Sequence, residues 1–364
     1  MKVLHVITGL NPGGAELALF RLVNQIQIEN SASQKIITLS RIKPHSLHNE
    51  FENIGIQILS PQSGFFSLIS YIYQSYKLMK DTDVIQSWMY HADFFVSLFS
   101  PFVNKKIFWN IRNSTLEKNS SSASTRFARK ILAKISFFVP YKIVTCSLNS
   151  ANHHIKVGYD KSKFIHIPNG YNNPNVILQK KNDKSRLVRY GCAARWHPQK
   201  GHDLLFNAMS KIKNMGYSFE LHLAGTGISK DNAELSTLLK KYDLEENTTL
   251  YGYLKDMSIL YKNLDYHVLP SISGEAFPNV VAESMFFGVP NICSDIGDTA
   301  IIIANTGYIF ELGNRLSLIN IIKETILIYE NKSQYNAMSK NTYIHAMKNF
   351  SINKMSKRYL KLWK

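Results

Sequence analysis

The chain has 364 residues, of which 45% are hydrophobic and 12% aromatic. That is too long for one core and too apolar for disorder, so two domains are expected. Its 43 basic residues outnumber 26 acidic ones, a formal charge of +17 that favours an anionic partner and does not by itself name one. The cysteines Cys146, Cys192 and Cys293 are widely spaced with no CxxC pair, which argues against a disulfide framework or a cysteine zinc site and for a reducing cytoplasm. No secretory leader is expected, because the opening apolar run ends in a Gly/Pro loop and not a cleavage site. The apolar stretch at 93–103 is cut by Pro101 and is too short to span a bilayer.

In chain order, a short apolar strand at 3–7 runs into Thr8-Gly9-Leu10-Asn11-Pro12-Gly13-Gly14-Ala15-Glu16 and then a helix with Leu17, Phe20, Leu22 and Val23 on its apolar face. Further short apolar segments at 36–39, 56–59, 84–87, 106–110, 143–146 and 165–167 alternate with stretches of helical spacing. This is the pattern of a parallel sheet covered by helices. Pro168-Asn169-Gly170 breaks it, and the polar 171–184 reads as a linker. Strand segments resume at 187–192, 219–224, 248–251, 266–270, 291–294 and 308–310. The expected division is a first domain over 1–170, a second over 185–345, and a last helix over 346–364 whose Tyr359, Leu360, Leu362 and Trp363 can dock on a neighbouring surface.

Three segments carry chemistry. Gly13 and Gly14 open the first helix, where free N–H groups favour an anion or a sugar. Their spacing is neither GxGxxG nor a P-loop, which argues against a nicotinamide dehydrogenase, and a plain tight turn is the alternative. Arg195 and Lys200 follow the first strand of the second domain, beyond the strand ends where open sheets bind ligands, and suit a diphosphate that gains charge as a bond to it breaks. The alternative is a solvated loop. In the third segment, Ser273-Gly274-Glu275-Ala276-Phe277-Pro278-Asn279-Val280 leads into an apolar helix with one acid, Glu283. A carboxylate there requires a hydrogen-bonding neighbour or a ligand hydroxyl pair.

The frame Glu275-(seven residues)-Glu283, followed by Gly288-Val289-Pro290, resembles the signature of the retaining glycosyltransferases of family 4. Ile167-Pro168-Asn169-Gly170, Ala224-Gly225-Thr226-Gly227 and Gly252 extend the likeness along the chain. The resemblance implies an α/β GT-B fold: two Rossmann-like domains with parallel sheets facing across a cleft, and a C-terminal helix returning to the N-terminal domain. It implies transfer of a hexose or N-acetylhexosamine from a nucleoside-diphosphate sugar, UDP foremost, to a glycan or lipid-linked glycan in cell-surface polysaccharide synthesis. Catalytic roles fall on His91, Arg195, Lys200 and Glu275. Donor binding falls on Gly13, Gly14, Gly225, Gly227, Ala276, Phe277, Pro278, Asn279, Val280 and Glu283. His91 read alone is equally a histidine stacked on Trp88, and the aspartate frequent after Asn-Gly in the family is replaced by Tyr171-Asn172.

No cofactor or metal is expected. Asp81-Thr82-Asp83 precedes a strand and so lies at the wrong end of the sheet for a diphosphate metal. A nucleotide-sugar 2-epimerase, a phosphorylase and a non-catalytic nucleotide-sugar-binding protein are the competing readings. Over 125–138, Arg126, Arg129, Lys130 and Lys134 are expected on one side of a helix, with Phe127, Ile131, Leu132, Ile135 and Phe138 on the other. That pattern fits either core packing or peripheral contact with an anionic membrane at its inner, cytoplasmic face. Nucleic-acid binding is not expected, since the basic residues are dispersed and no recognition module is present.

Overall fold

A computed structural model describes residues 1–113, 123–174 and 187–364. Most of the linker expected at 171–184 lies outside these residues. The chain divides into two compact units, Met1–Tyr171 with Phe350–Lys364, and Asn172–Asn349.

The first unit runs β1 (Lys2–Ile7), α1 (Gly14–Ile28), β2 (Ser33–Thr38), α2 (His48–Asn53), β3 (Gln57–Leu59), α3 (Phe65–Lys80), β4 (Val84–Trp88), α4 (Tyr90–Phe99), β5 (Lys106–Ile111), α5 (Ala123–Ile135), β6 (Lys142–Thr145), α6 (Leu148–Val157) and β7 (Phe164–His166). The second runs β8 (Val188–Ala193), α7 (His202–Asn214), β9 (Phe219–Ala224), α8 (Ala233–Lys241), β10 (Thr248–Leu250), α9 (Ser258–Tyr261), β11 (Tyr266–Leu269), α10 (Asn279–Met285), β12 (Asn291–Ser294), α11 (Thr299–Ile303), β13 (Tyr308–Phe310), α12 (Arg315–Glu330) and α13 (Lys332–Phe350). The chain ends in α14 (Ile352–Trp363), which belongs to the first unit.

The sheet orders are β3-β2-β1-β4-β5-β6-β7 and β10-β9-β8-β11-β12-β13, with every pairing parallel. Helices cover both faces of the first sheet, so β1 and β4 are buried along nearly their whole length, the polar His5, Gln86 and Ser87 included. One face packs on α1 and α14 through Leu19, Leu22, Val23, Met355 and Tyr359. The other packs on α3, α4 and α5 through Tyr71, Met79, Val96 and Leu132. Polar bonds fix α14 in place: Asn110 Nδ2 donates to Tyr359 Oη at 2.8 Å, and Trp363 Nε1 donates to Gln86 Oε1 at 3.1 Å. Arg112 donates to Asn169 and to Tyr359 Oη, and its guanidinium lies over the Trp88 ring.

In each sheet the strand order reverses once, between β1 and β4 and between β8 and β11. Loops leaving adjacent strands in opposite directions open a crevice at such a point, and open α/β sheets bind their ligands there.

Candidate functional site

In the second unit the reversal lies between the loop after β8, which carries Arg195 and Lys200, and the loop after β11, which carries Glu275. The 195–201 segment is laced to its neighbours on both sides. Trp196 N donates to Thr226 O at 2.8 Å, and Ile272 N donates to Gln199 O at 2.8 Å. Gly201 has φ +67°, and a Cβ on it would lie 2.0 Å from the Pro270 carbonyl oxygen, so only glycine permits this approach. Gly225 meets the same limit, since its Cβ would lie 2.1 Å from Ala194 O. Close packing therefore accounts for Gly225 without a ligand. Gly227, at φ +79°, sits in the same turn beside Trp196.

This lacing holds Lys200 Nζ 2.5 Å from Glu275 Oε1, and Ser271 Oγ donates to the same oxygen at 2.8 Å. Ser271 is positioned in turn from β12, as Ser294 Oγ donates to its carbonyl at 2.6 Å. The Glu275 side chain is 9% exposed and that of Lys200 is 22% exposed. Arg195, on the same loop as Lys200, is exposed.

Ala276, Phe277 and Pro278 lead into α10, with Asn279 and Val280 in its first turn. Phe277 and Pro278 are buried, so this segment offers a ligand chiefly its backbone. Glu283 is half-buried on α10, and Tyr261 Oη donates to its Oε2 at 3.4 Å. The lone acid of an apolar helix thus has the polar neighbour its burial demands.

A polar network beneath this site was not legible in the sequence. His267, fully buried on β11, accepts from Ala193 N at 3.3 Å through Nε2 and donates from Nδ1 to Asn291 Oδ1 at 2.8 Å. Ser284 Oγ donates to the same Asn291 oxygen at 2.9 Å. The loop bearing Arg195 and the helix bearing Glu283 are therefore tied through one imidazole. Burial lowers the His267 pKa to about 4, which keeps the ring neutral and able to accept. The only sequence sign was a histidine within an otherwise apolar strand.

In the first unit, Gly13 and Gly14 begin α1 and His91 lies in the first turn of α4, so both follow the strands flanking that sheet's reversal. The rings beside Trp88 are His5 and Tyr359, so the alternative of His91 stacked on Trp88 is not what forms. Met89, just before it, has φ +72°, a strained backbone for a side-chain-bearing residue. Ser87 Oγ donates to Asp93 Oδ1 at 2.6 Å across this turn. Tyr171 stands where the family's aspartate was expected. It is used structurally: its N–H donates to Phe350 O, its carbonyl accepts from Ile352 N, and the Arg21 guanidinium lies 4.4 Å from its ring centre. Asp81 and Asp83 lie just before β4 and are engaged by Lys2, at the sheet edge away from these loops.

The expected two-sided α5 needs correction. Ala128, Leu132 and Ala133 form its buried side, while Phe127 and Phe138 are exposed and Ile131 and Ile135 are half-buried. Arg129 does not join a solvated stripe with Lys130 and Lys134: it is half-buried, and its Nη1 lies 3.3 Å from His153 Nε2. Small alanines let the helix pack closely, and the polar His153 accepts a guanidinium that the sequence pattern assigned to water.

Two parallel α/β units with a returning C-terminal helix are the GT-B fold. The crystal structure of HepE from Anabaena in complex with UDP superposes with a TM-score of 0.82 at 18% identity, covering 100% of this chain and 99% of HepE. Residues 177–345 match the family "Glycosyl transferases group 1". Protein CapJ of Staphylococcus aureus is 31% identical over 131 residues, 35% of this chain and 32% of CapJ, so the chain spans about a third of that relative's length. The capsular polysaccharide biosynthesis glycosyltransferase CapH of Staphylococcus aureus is 23% identical over 308 residues, 82% of this chain and 83% of CapH. The chain is thus a glycosyltransferase-like protein of GT-B fold.

Proposed function

We propose that the chain is a retaining glycosyltransferase that moves a hexose or N-acetylhexosamine from a nucleoside-diphosphate sugar, UDP foremost, to a hydroxyl of a glycan or lipid-linked glycan. The observation that carries this reading is Lys200 held against Glu275 at the reversal of the second sheet, with Arg195 on the same loop. Arg195 and Lys200 meet the diphosphate and oppose the charge that grows on it as the glycosidic bond opens. Glu283 takes the ribose hydroxyls. Glu275 lies by the transferred sugar, and the backbone of Ala276, Phe277, Pro278, Asn279 and Val280 borders the donor with Gly225 and Gly227. Gly13 and Gly14 serve the donor side, and His91 reaches the sugar or the reaction centre.

With the two cations drawing off the diphosphate, the acceptor attacks from the face the leaving group vacates, and a phosphate oxygen takes its proton. Configuration is retained without a covalent enzyme intermediate. The names of CapH and of HepE with UDP support a nucleotide-sugar donor and a polysaccharide role. The test is mass-spectrometric turnover against a panel of nucleotide sugars with lipid-extract acceptors. A glycosylated acceptor is the expected product. A donor altered without acceptor would indicate an epimerase, and binding without turnover a non-catalytic protein.

A further inference from the structure

The turn between β4 and α4 is held more tightly than a connecting loop requires. Met89, the last residue before the helix, has φ +72° and ψ 162°. Glycine adopts that conformation freely, whereas a residue with a side chain keeps it only where surrounding bonds over-determine it.

Those bonds come from three sides. Met89 N donates to Asn110 O on β5 at 2.9 Å, and Asp93 N donates to Met89 O at 2.9 Å. Ser87 Oγ donates to Asp93 Oδ1 at 2.6 Å, which ties the end of β4 to the first turn of α4 across the strained residue. On the remaining side, Tyr90 Oη lies 2.7 Å from Nε2 of His154 on α6. His154 Nδ1 lies 2.7 Å from the Ser150 carbonyl oxygen, which can only accept, so Nδ1 carries the proton and Nε2 accepts from Tyr90. Burial lowers the His154 pKa to about 4 and keeps the ring in this neutral form.

The bonds pass over one residue. Tyr90, Ala92 and Asp93 are buried, while His91 between them is half-buried, and its imidazole has no hydrogen bond or ion pair among the described residues. Fixed neighbours around an unpaired imidazole suit a group that serves a ligand more than one that serves the fold. Asp93 is also a costly occupant of its place. It is fully buried, and its Oδ2 has no partner. Burial raises its pKa well above the usual carboxylate range, against the Ser87 bond and the Asn110 backbone N–H, which lower it. A residue that only filled this space would be apolar. What the carboxyl supplies is an acceptor for Ser87.

We propose that Asp93 is a positioning residue, paired with Ser87 to clamp the Met89 turn and so fix the His91 imidazole at the end of β4. The clamp needs an acceptor at position 93 and not a charge. It rests on the transferase reading, in which His91 reaches the sugar or the reaction centre, and adds the residues that set its geometry.

The experiment compares D93N, D93A, S87A and S87A/D93A with the parent. The readings are kcat and KM with the donor and acceptor found by the turnover panel, UDP affinity, melting temperature, and the His91 ring resonances of ¹³C-histidine-labelled protein, assigned with H91Q. D93A should lower kcat by about 10- to 100-fold, the loss that misplacing a group by about 1 Å can bring, with UDP affinity unchanged and the His91 resonances shifted. S87A should act in the same direction, and S87A/D93A should lose no more than D93A alone, because the two residues act through one bond. D93N keeps the acceptor and should restore both kcat and the resonances to those of the parent. A D93A protein with a lowered melting temperature but parental kcat and resonances leaves Asp93 a core residue and overturns the proposal. A D93N protein as slow as D93A overturns it in favour of a role for the charge. Should D93A fail to fold, S87A and D93N carry the same test. A parent without turnover on any donor and acceptor sinks the transferase reading, and the His91 resonances still decide the clamp: if they match the parent in S87A and D93A, there is none.

Discussion

Replacing Glu275 by glutamine separates sugar chemistry from nucleotide binding. The carboxylate is 9% exposed and holds Lys200 Nζ at 2.5 Å and Ser271 Oγ at 2.8 Å. The amide keeps the shape and the serine bond and removes the charge. Breaking a fully buried ion pair from one side costs about 3–5 kcal/mol, but Lys200 is 22% exposed and reaches water, so a loss of about 2 kcal/mol is expected. In a unit of this size that lowers the melting temperature by about 4–8 °C. Lys200 is no longer neutralised by a carboxylate that a diphosphate must displace, so UDP affinity should hold or tighten by up to about tenfold. Turnover should fall about 100-fold or more, because a charge beside the reacting sugar is gone. Calorimetric titration with UDP, initial rates and a melting curve on the same preparation give all three quantities. Turnover near that of the parent with UDP affinity reduced tenfold would refute the assignment and move Glu275 to the nucleotide.

Glu283→Ala should weaken nucleotide affinity by about 1.5–3 kcal/mol, the usual worth of hydrogen bonds to a charged group, and unchanged calorimetric affinity in a folded variant counts against the ribose role. Arg195→Ala and Lys200→Ala should each lower kcat by about 100-fold or more, while the parent keeps its rate in excess EDTA; rescue of chelated enzyme by Mg²⁺ or Mn²⁺ would show that a metal shares their task. The second unit should lose stability in acid. His202 and His267 have pKa values lowered by burial to about 4, so the unfolded chain, near 6.5, takes up protons first as the pH falls. Their contribution is complete above pH 6.5 and declines toward pH 4, by up to about 3 kcal/mol for each ring, and equal denaturant midpoints at pH 7 and 4.5 would contradict it.

The sheets were legible because their strands are buried on both faces. Such strands are mostly apolar, and a short run survives in the sequence even where a buried polar residue interrupts it: the run expected at 84–87 is β4, which carries Gln86 and Ser87, and that at 266–270 is β11, which carries His267. Helix α5 was less legible because periodicity says which residues share a side and not which neighbour that side will meet. Ala128 and Ala133 are weak apolar signals in a sequence and strong ones in a tight contact, whereas Phe127 and Phe138 signal strongly and end up outside. Helix α3 defeats the same logic, since beside its polar stripe of Ser67, Ser70, Gln74 and Lys77 it carries more large apolar residues than it buries, Phe65 and Phe66 ending up exposed.

The candidate site divides in the same way. Its charged residues were found from their types and local frames, but what joins them is a matter of strand order. Lys200 and Glu275 are 75 positions apart and meet because β11 inserts next to β8 while β9 goes to the other side. The support beneath them is harder still to foresee. His267 acts by accepting from Ala193 and donating to Asn291, three groups on three adjacent strands that no local motif connects. A neutral imidazole there lets one residue bond both neighbouring strands at once. A hydrophobic replacement of similar size would leave Ala193 N and Asn291 Oδ1 with fewer partners beneath the loop that bears Arg195, so the cost of polarity in this strand is offset by the order it imposes on that loop.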